Sequence, residues 1–314
     1  MSKKTSIGGQ AVIEGIMMKG PKKTALAVRI PDGSIDIEYI PEKHLRDKYK
    51  FFGLPIIRGT VNFIESMITG YSAMMKSADK SGFTDIEEEK QKDPKKQSAL
   101  MGVIMTVASV LGVALSVFLF MYLPAFAFDL INRVFGSNLS AFKAVFEGII
   151  KMAIFLIYML LVSRMKDIRR VFSYHGAEHK TIFCYEAGEE LTVENVRKQS
   201  RLHPRCGTSF MLLMLVVGIL IGVVLTWCFP SLQLSSFRFL WVIIKILILP
   251  IICGVGYELL KVCGRHDNRF TRAISAPGMW MQKITTNEPD DSMIEVAIES
   301  LKAVLPEDTQ EDNW

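Results

Sequence analysis

His175, Glu178 and His179 fall in the run His175-Gly-Ala-Glu178-His179, an H-x-x-E-H arrangement. On a helix, positions four apart project from one face, so both imidazoles can approach one metal ion. Two neutral imidazoles suit zinc, and a carboxylate three residues after the first can take a proton from a water on that ion. The predicted chemistry is zinc-assisted hydrolysis with Glu178 as general base. A catalytic zinc needs a third protein ligand and one open position. Glu258 is the preferred third ligand: it ends an apolar run, after Gly254 and Gly256, where a carboxylate is costly to place. His203, Cys206, His266 and Asp267 are the other candidates. A rival reading joins His203 and Cys206 to His175 and His179 as a closed structural zinc site, with Glu178 orienting an imidazole. Arg205 is read either as a binder of a substrate anion or as a cationic membrane anchor. The cationic neighbours of Cys206 favour a thiolate, but its spacing alone assigns it no histidine partner.

The elements that must position these groups lie in a chain of 314 residues, 50% of them hydrophobic. The apolar residues are concentrated. Leu100–Leu123 and Gly207–Phe229 carry no charge, and Phe239–Tyr257 is broken only by Lys245 and Pro250. Ala144–Ser163 contains Glu147 and Lys151, spaced so that each lowers the other's cost. Each run reaches the ~20 residues a bilayer requires. The expected fold is mainly α, a polytopic membrane protein with about four transmembrane helices and a small N-terminal β-containing region.

Lys and Arg crowd the stretch before Leu100, the loop 164–206 and the tail after Glu258. The segments Pro124–Ser140 and Pro230–Ser236 hold one arginine between them. The positive-inside rule then puts both termini and the loop in the cytoplasm, and the motif at the cytoplasmic membrane face. The net charge of +5 reads as this bias plus attraction to anionic lipid. The lipid bilayer is the expected partner, and no nucleic acid is expected, since no basic-aromatic surface is evident. The opening MSKKTSIGG lacks the apolar core of a signal peptide, and the five cysteines are expected to form no disulfide framework in a reducing compartment.

Four segments follow. Residues 1–78 form an N-terminal cytoplasmic region, 79–99 a charged linker, 100–257 the membrane region with its loop, and 258–314 a helical tail. Within the first, Lys23–Ile30 and Ser34–Ile40 are strands about a Pro31-Asp32-Gly33 turn. Ser6–Gly20 is expected to be a packed connecting segment. From Pro55, Ile57, Val61, Ile64, Ile68, Tyr71 and Met75 trace a helical stripe that would either lie on the membrane surface or pack on the soluble domain, with packing the expected outcome. Asp167–Glu186 and Leu191–Gln199 are expected helices, the second capped by Thr192. Gly218 and Gly222 would permit close helix packing. In the tail, Pro289-Asp290-Asp291 starts a helix buried through Ile294, Ala297, Ile298, Leu301 and Val304.

Several long blocks carry a resemblance: IGGQAVIEGIMMKGP, YHGAEHKTIFCYEAGEELTVENV, HPRCGTSF, GYELLK and PGMWMQKITTNEPDDSMIEVAIESL. On these the whole chain resembles the YqhQ-like family of bacterial membrane proteins. That family is described as one of unknown function and as predicted metal-dependent enzymes. The resemblance implies a membrane architecture and a metal site. The preferred function is thus a zinc-dependent, hydrolytic enzyme at the cytoplasmic membrane face, for which a peptide, a lipid head group or a small anion would serve as substrate. The alternatives are a non-enzymatic membrane scaffold with structural zinc, and a subunit of a transport assembly.

Overall fold

The computed structural model describes residues 4–41, 45–83, 94–135, 142–229, 238–266, 268–307 and 312. Two compact units emerge, one built from Met1–Asp85, Leu161–Met214 and Pro250–Trp314, the other from Ile86–Leu160 and Leu215–Leu249. The first is assembled from three separated stretches of chain, whereas the sequence reading divided the chain contiguously.

In the first unit a four-stranded antiparallel meander runs β1 (Gly8–Val12), β2 (Gly15–Lys19), β3 (Thr24–Arg29) and β4 (Ile35–Ile40). The expected hairpin is β3–β4, turned by Gly33 at φ 88°, with the Asp32 carboxylate accepting from the Ser34 N–H at 2.8 Å. The segment expected to be a connector is the other hairpin, β1–β2, with Val12 opposite Gly15. Its residues escaped a strand reading because the sheet is covered on both faces, which removes alternation of apolar and polar residues. Ala11, Ile16, Met18, Ala25 and Ala27 pack on one side. Val12, Met17, Leu26 and Val28 pack on the other.

Helix α1 (Ile57–Lys80) covers that second face through Ala73. The expectation that its apolar stripe packs inward fails for most of the stripe. Gly59, Val61, Gly70, Ala73, Ser77 and Ala78 are buried, while Ile64, Ile68, Tyr71 and Met75 are exposed. Small residues let α1 approach the sheet closely, which turns its larger apolar side chains outward.

Helices α2 (Pro94–Val117) and α3 (Leu123–Phe135) are joined by a π-helical turn, Phe118–Tyr122. Pro124 therefore does not end the first span: the wide turn accommodates a residue without an N–H. The stretch 79–99, expected to be a charged linker, is helical at both ends, up to Lys80 and from Pro94. Residues 84–93 of it, and 136–141 and 230–237 of the two expected external loops, lie outside the described residues. Helix α4 (Lys143–Val162) follows, then α5 (Lys166–Glu186) and α6 (Val193–Lys198), the last capped by the Thr192 hydroxyl accepting from Asn195 N–H at 3.3 Å. Then come α7 (Gly207–Cys228), α8 (Arg238–Arg265), α9 (Arg269–Thr285) and α10 (Asp291–Val304).

Four segments are long and apolar enough to cross a membrane: Thr106–Val134, Lys143–Val162, Gly207–Cys228 and Ile246–Arg265. In the second unit the close helix approach falls at Gly148, where a methyl would lie 2.7 Å from the Ile219 side chain. Gly222, expected to serve that purpose, has no described atom within 4 Å of its missing Cβ.

Helix α10 starts at Asp290, whose carboxylate accepts the Met293 N–H at 3.0 Å, and buries Ile294, Ala297, Ile298, Leu301 and Val304 as the periodicity predicts. With α5 it forms the core against β2 and β3 around the fully buried Tyr174.

Candidate metal centre

Helix α5 carries the motif and buries Tyr174, Gly176, Ala177, Glu178 and His179. Gly176 is required by packing. A methyl there would overlap the carbonyl oxygen of Asn287, whose N–H donates to Phe172 O at 2.9 Å. The chain entering α10 is thereby laid along α5, one residue from His175.

The two imidazoles lie edge to face, centroids 4.4 Å apart. His175 Nδ1 meets the carbonyl oxygen of Thr285 at 2.8 Å, and His179 Nδ1 that of Arg201 at 2.6 Å. A carbonyl only accepts, so each Nδ1 bears the proton and each Nε2 is left to bind. His175 Nε2 points at Cys206 Sγ, 3.1 Å away. His175, His179 and Cys206 offer ligand atoms all within 4.8 Å of one another. Donors sharing a tetrahedral zinc at ~2.0–2.3 Å stand about 3.3–3.6 Å apart, so a modest closure would complete the set.

Cys206 sits immediately before α7, where the Thr208 N–H donates to its sulfur at 3.4 Å. Burial pushes its thiol up, but His175 and His179 outweigh this and hold it well below the usual cysteine range. Burial lowers the His175 imidazole, yet the Cys206 charge and hydrogen bond push it up to about 9. Both shifts describe one ion pair, a Cys206 thiolate beside a protonated His175, and a metal bound there would take the place of the proton on His175 Nε2.

Glu178 is 4% exposed. Its Oε1 accepts the backbone N–H of Gly9 at 3.0 Å. Its Oε2 is buried and has no hydrogen-bond partner among the described residues. Burial raises its carboxyl, opposed by the charges of His179 and His175. Gly9 allows this approach: a Cβ there would lie 2.7 Å from Met17 O and 3.1 Å from Glu178 Cδ. Gly9 of β1 thus brings backbone to the motif carboxylate, a partnership that spacing along the chain does not reveal.

The structure brings Cys206, not Glu258, to the two histidines. Both Glu258 oxygens accept from the Arg58 guanidinium, each at 2.6 Å. A bidentate pair of this kind satisfies the carboxylate that apolar surroundings would otherwise penalise. His203 stands beside His179, centroids 5.5 Å apart, but faces other partners. Its Nδ1 accepts the Arg205 N–H at 3.4 Å, and its Nε2 lies 3.7 Å from Glu186. The Arg205 side chain is buried in an ion pair with Glu186. His266 is exposed, and Asp267 lies outside the described residues. Gln282 of α9 clamps the loop: its Oε1 accepts His203 N–H at 2.7 Å, and its Nε2 donates to His203 O at 2.6 Å. Nothing in the sequence singles Gln282 out, since α9 also carries Arg269, Arg272 and Lys283.

The fold and site define a class: a helical protein with four helices apt to cross a membrane, a small β-sheet, and a buried His/Cys cluster. Residues 54–307 match the family model described as "Protein of unknown function (DUF1385)", and the chain belongs to that family. It is also 36% identical, over 95% of its length and 92% of the relative's, to the "Uncharacterized protein YqhQ" of Bacillus subtilis (strain 168). No solved structure matches the chain.

Proposed function

We propose that this protein is a metal-dependent hydrolytic enzyme at the cytoplasmic face of the membrane, with zinc held by His175, His179 and Cys206. The observation that carries this reading is the pairing of a three-donor cluster with the buried, unpartnered Oε2 of Glu178. Three protein donors leave a fourth position open, as catalytic zinc requires. Zinc supplies acidity to a bound water and polarises the bond to be cleaved. Glu178 takes the proton from the attacking water and returns it to the leaving group. Gly9 fixes one of its oxygens so that the other serves as the base. Arg58 neutralises Glu258 away from the chemistry.

Burial of His179 and Cys206 favours one second reading, a structural metal in a non-enzymatic scaffold. The pairing of His203 with Arg205 and Glu186 weighs against it, because no fourth donor among the described residues then closes the site.

Glu178→Gln and Cys206→Ser separate the two. In the enzyme, Glu178→Gln keeps its metal and thermal stability and loses complementation of a deletion phenotype. Cys206→Ser loses metal in either case. Full complementation by metal-loaded Glu178→Gln protein defeats the enzyme reading.

A further inference from the structure

We propose that α1 lies in the membrane surface, its outward stripe sunk among lipid acyl chains as a fifth membrane contact beside the four candidate spans. Ile64, Met67, Ile68, Tyr71 and Met75 stand 37–66% exposed on one face of the helix. A contiguous apolar face of this kind marks a membrane or partner surface. Glu65 is the one charged residue between Ile64 and Met75; it is half-buried on the flank of the stripe, where its carboxylate accepts the Leu45 N–H at 2.8 Å. The cations of the helix are turned the other way: Lys76 pairs with Glu38 at 2.5 Å, and Lys80 with Asp36 at 2.6 Å, both on β4.

The depth of α1 is set by what its first turns touch. Thr60 Oγ1 donates to the carbonyl of Pro250 at 2.6 Å, and Asn62 Nδ2 donates to the Tyr257 hydroxyl at 3.1 Å. Gly59 seats against Gly254 and Tyr257, where a methyl would come within 2.7 Å. Arg58 holds Glu258. Ile56 takes φ 70° so that its carbonyl can lie over Gly254, a conformation a β-branched residue adopts only when its surroundings impose it. Tyr257 and Glu258 belong to the candidate span Ile246–Arg265, as does Pro250. A helix hydrogen-bonded to such a span shares its surroundings, so the face of α1 pointing away from the protein points into lipid. The approach to α1 has the composition of an interfacial anchor. Tyr49, Phe51, Leu54 and Ile56 are exposed, and Lys48 and Lys50 are exposed among them.

The test uses the full chain in phosphatidylcholine–phosphatidylglycerol vesicles containing a phospholipid with a photoactivatable acyl chain. After irradiation, adducts are mapped by mass spectrometry. The expected result is label on Ile64–Met75 as well as on the exposed Leu220 and Val224 of α7. Serine at both Ile68 and Tyr71 should lower the α1 yield severalfold and leave α7 unchanged. Label on α7 with none on α1 overturns the proposal, as do crosslinks joining α1 to a second copy of the chain in place of lipid. Failure of both helices to label removes the membrane reading itself, a different outcome.

Discussion

At the scale of single residues, Glu178 is defined by two glycines. Gly9 gives its Oε1 a backbone donor, and Gly176 lets the Asn287 carbonyl pass across the helix that carries it. Gly176→Ala must push that backbone away. Overpacking of this kind costs about 1–3 kcal/mol. We expect a lower Tm in detergent-solubilised protein, together with lower metal content, because Thr285 and Asn287 belong to the same segment. An unchanged Tm would show that the 287 backbone moves freely. His175→Ala and His179→Ala should each lower bound zinc per chain by elemental analysis, whereas Glu258→Gln should leave it unchanged. Loss of zinc from Glu258→Gln would restore Glu258 as a ligand.

At the scale of elements, α5 and α10 are the core of the site, and the sheet is the wall they share. Leu301 is fully buried between them. Leu301→Ala should destabilise the first unit by about 2–5 kcal/mol. Chemical denaturation followed by tryptophan fluorescence would measure it, and a loss below that range would mean that the helix collapses onto the gap. The end of α5 should also be acid-sensitive. Burial pushes the Glu186 carboxyl up, but its bond from His203, the Arg205 charge and the Thr5 N–H outweigh this and hold it below its ordinary 4.5. A depressed carboxyl contributes stability that is full above that ordinary value and is lost as pH falls through the lower folded one. Tm should therefore drop between pH ~5 and pH ~3 in wild type. Glu186→Gln should lower Tm at neutral pH and flatten that drop. An equally steep drop in the variant assigns the acid sensitivity to other carboxylates.

At the scale of the whole molecule, the four helices apt to cross a membrane among the described residues are an even number, which predicts that both ends of the chain emerge on one side. By the positive-inside rule, the weight of Lys and Arg in 164–206 predicts that this side is the cytoplasm. A Ser200→Cys protein in intact cells should resist an impermeant thiol reagent and react after permeabilisation. Rapid labelling from outside would place the metal centre on the opposite face and end the cytoplasmic reading.

What the sequence determined by itself was local. The motif helix, the Thr192 cap, the four apolar helices and the buried stripe of α10 follow from spacing, capping and hydropathy, whose causes lie within a few residues. What only the tertiary structure decided was partnership over long separations. Arg58 and Glu258 lie 200 residues apart, and Gly9 and Glu178 lie 169 apart. No periodicity encodes which distant group will satisfy a carboxylate. The neighbour of the two histidines followed the same rule: Glu258 and Cys206 were both candidates by chemistry, and it is Cys206 that lies beside them, at the end of the loop that Gln282 holds through His203. The β1–β2 hairpin was hidden because a strand covered on both faces has no polar side to reveal its period. Helix α1 misled in the opposite sense. Its large apolar residues imitate a core-facing stripe, while its small residues make the contact, and only the packed structure shows which side of the helix the sheet accepts.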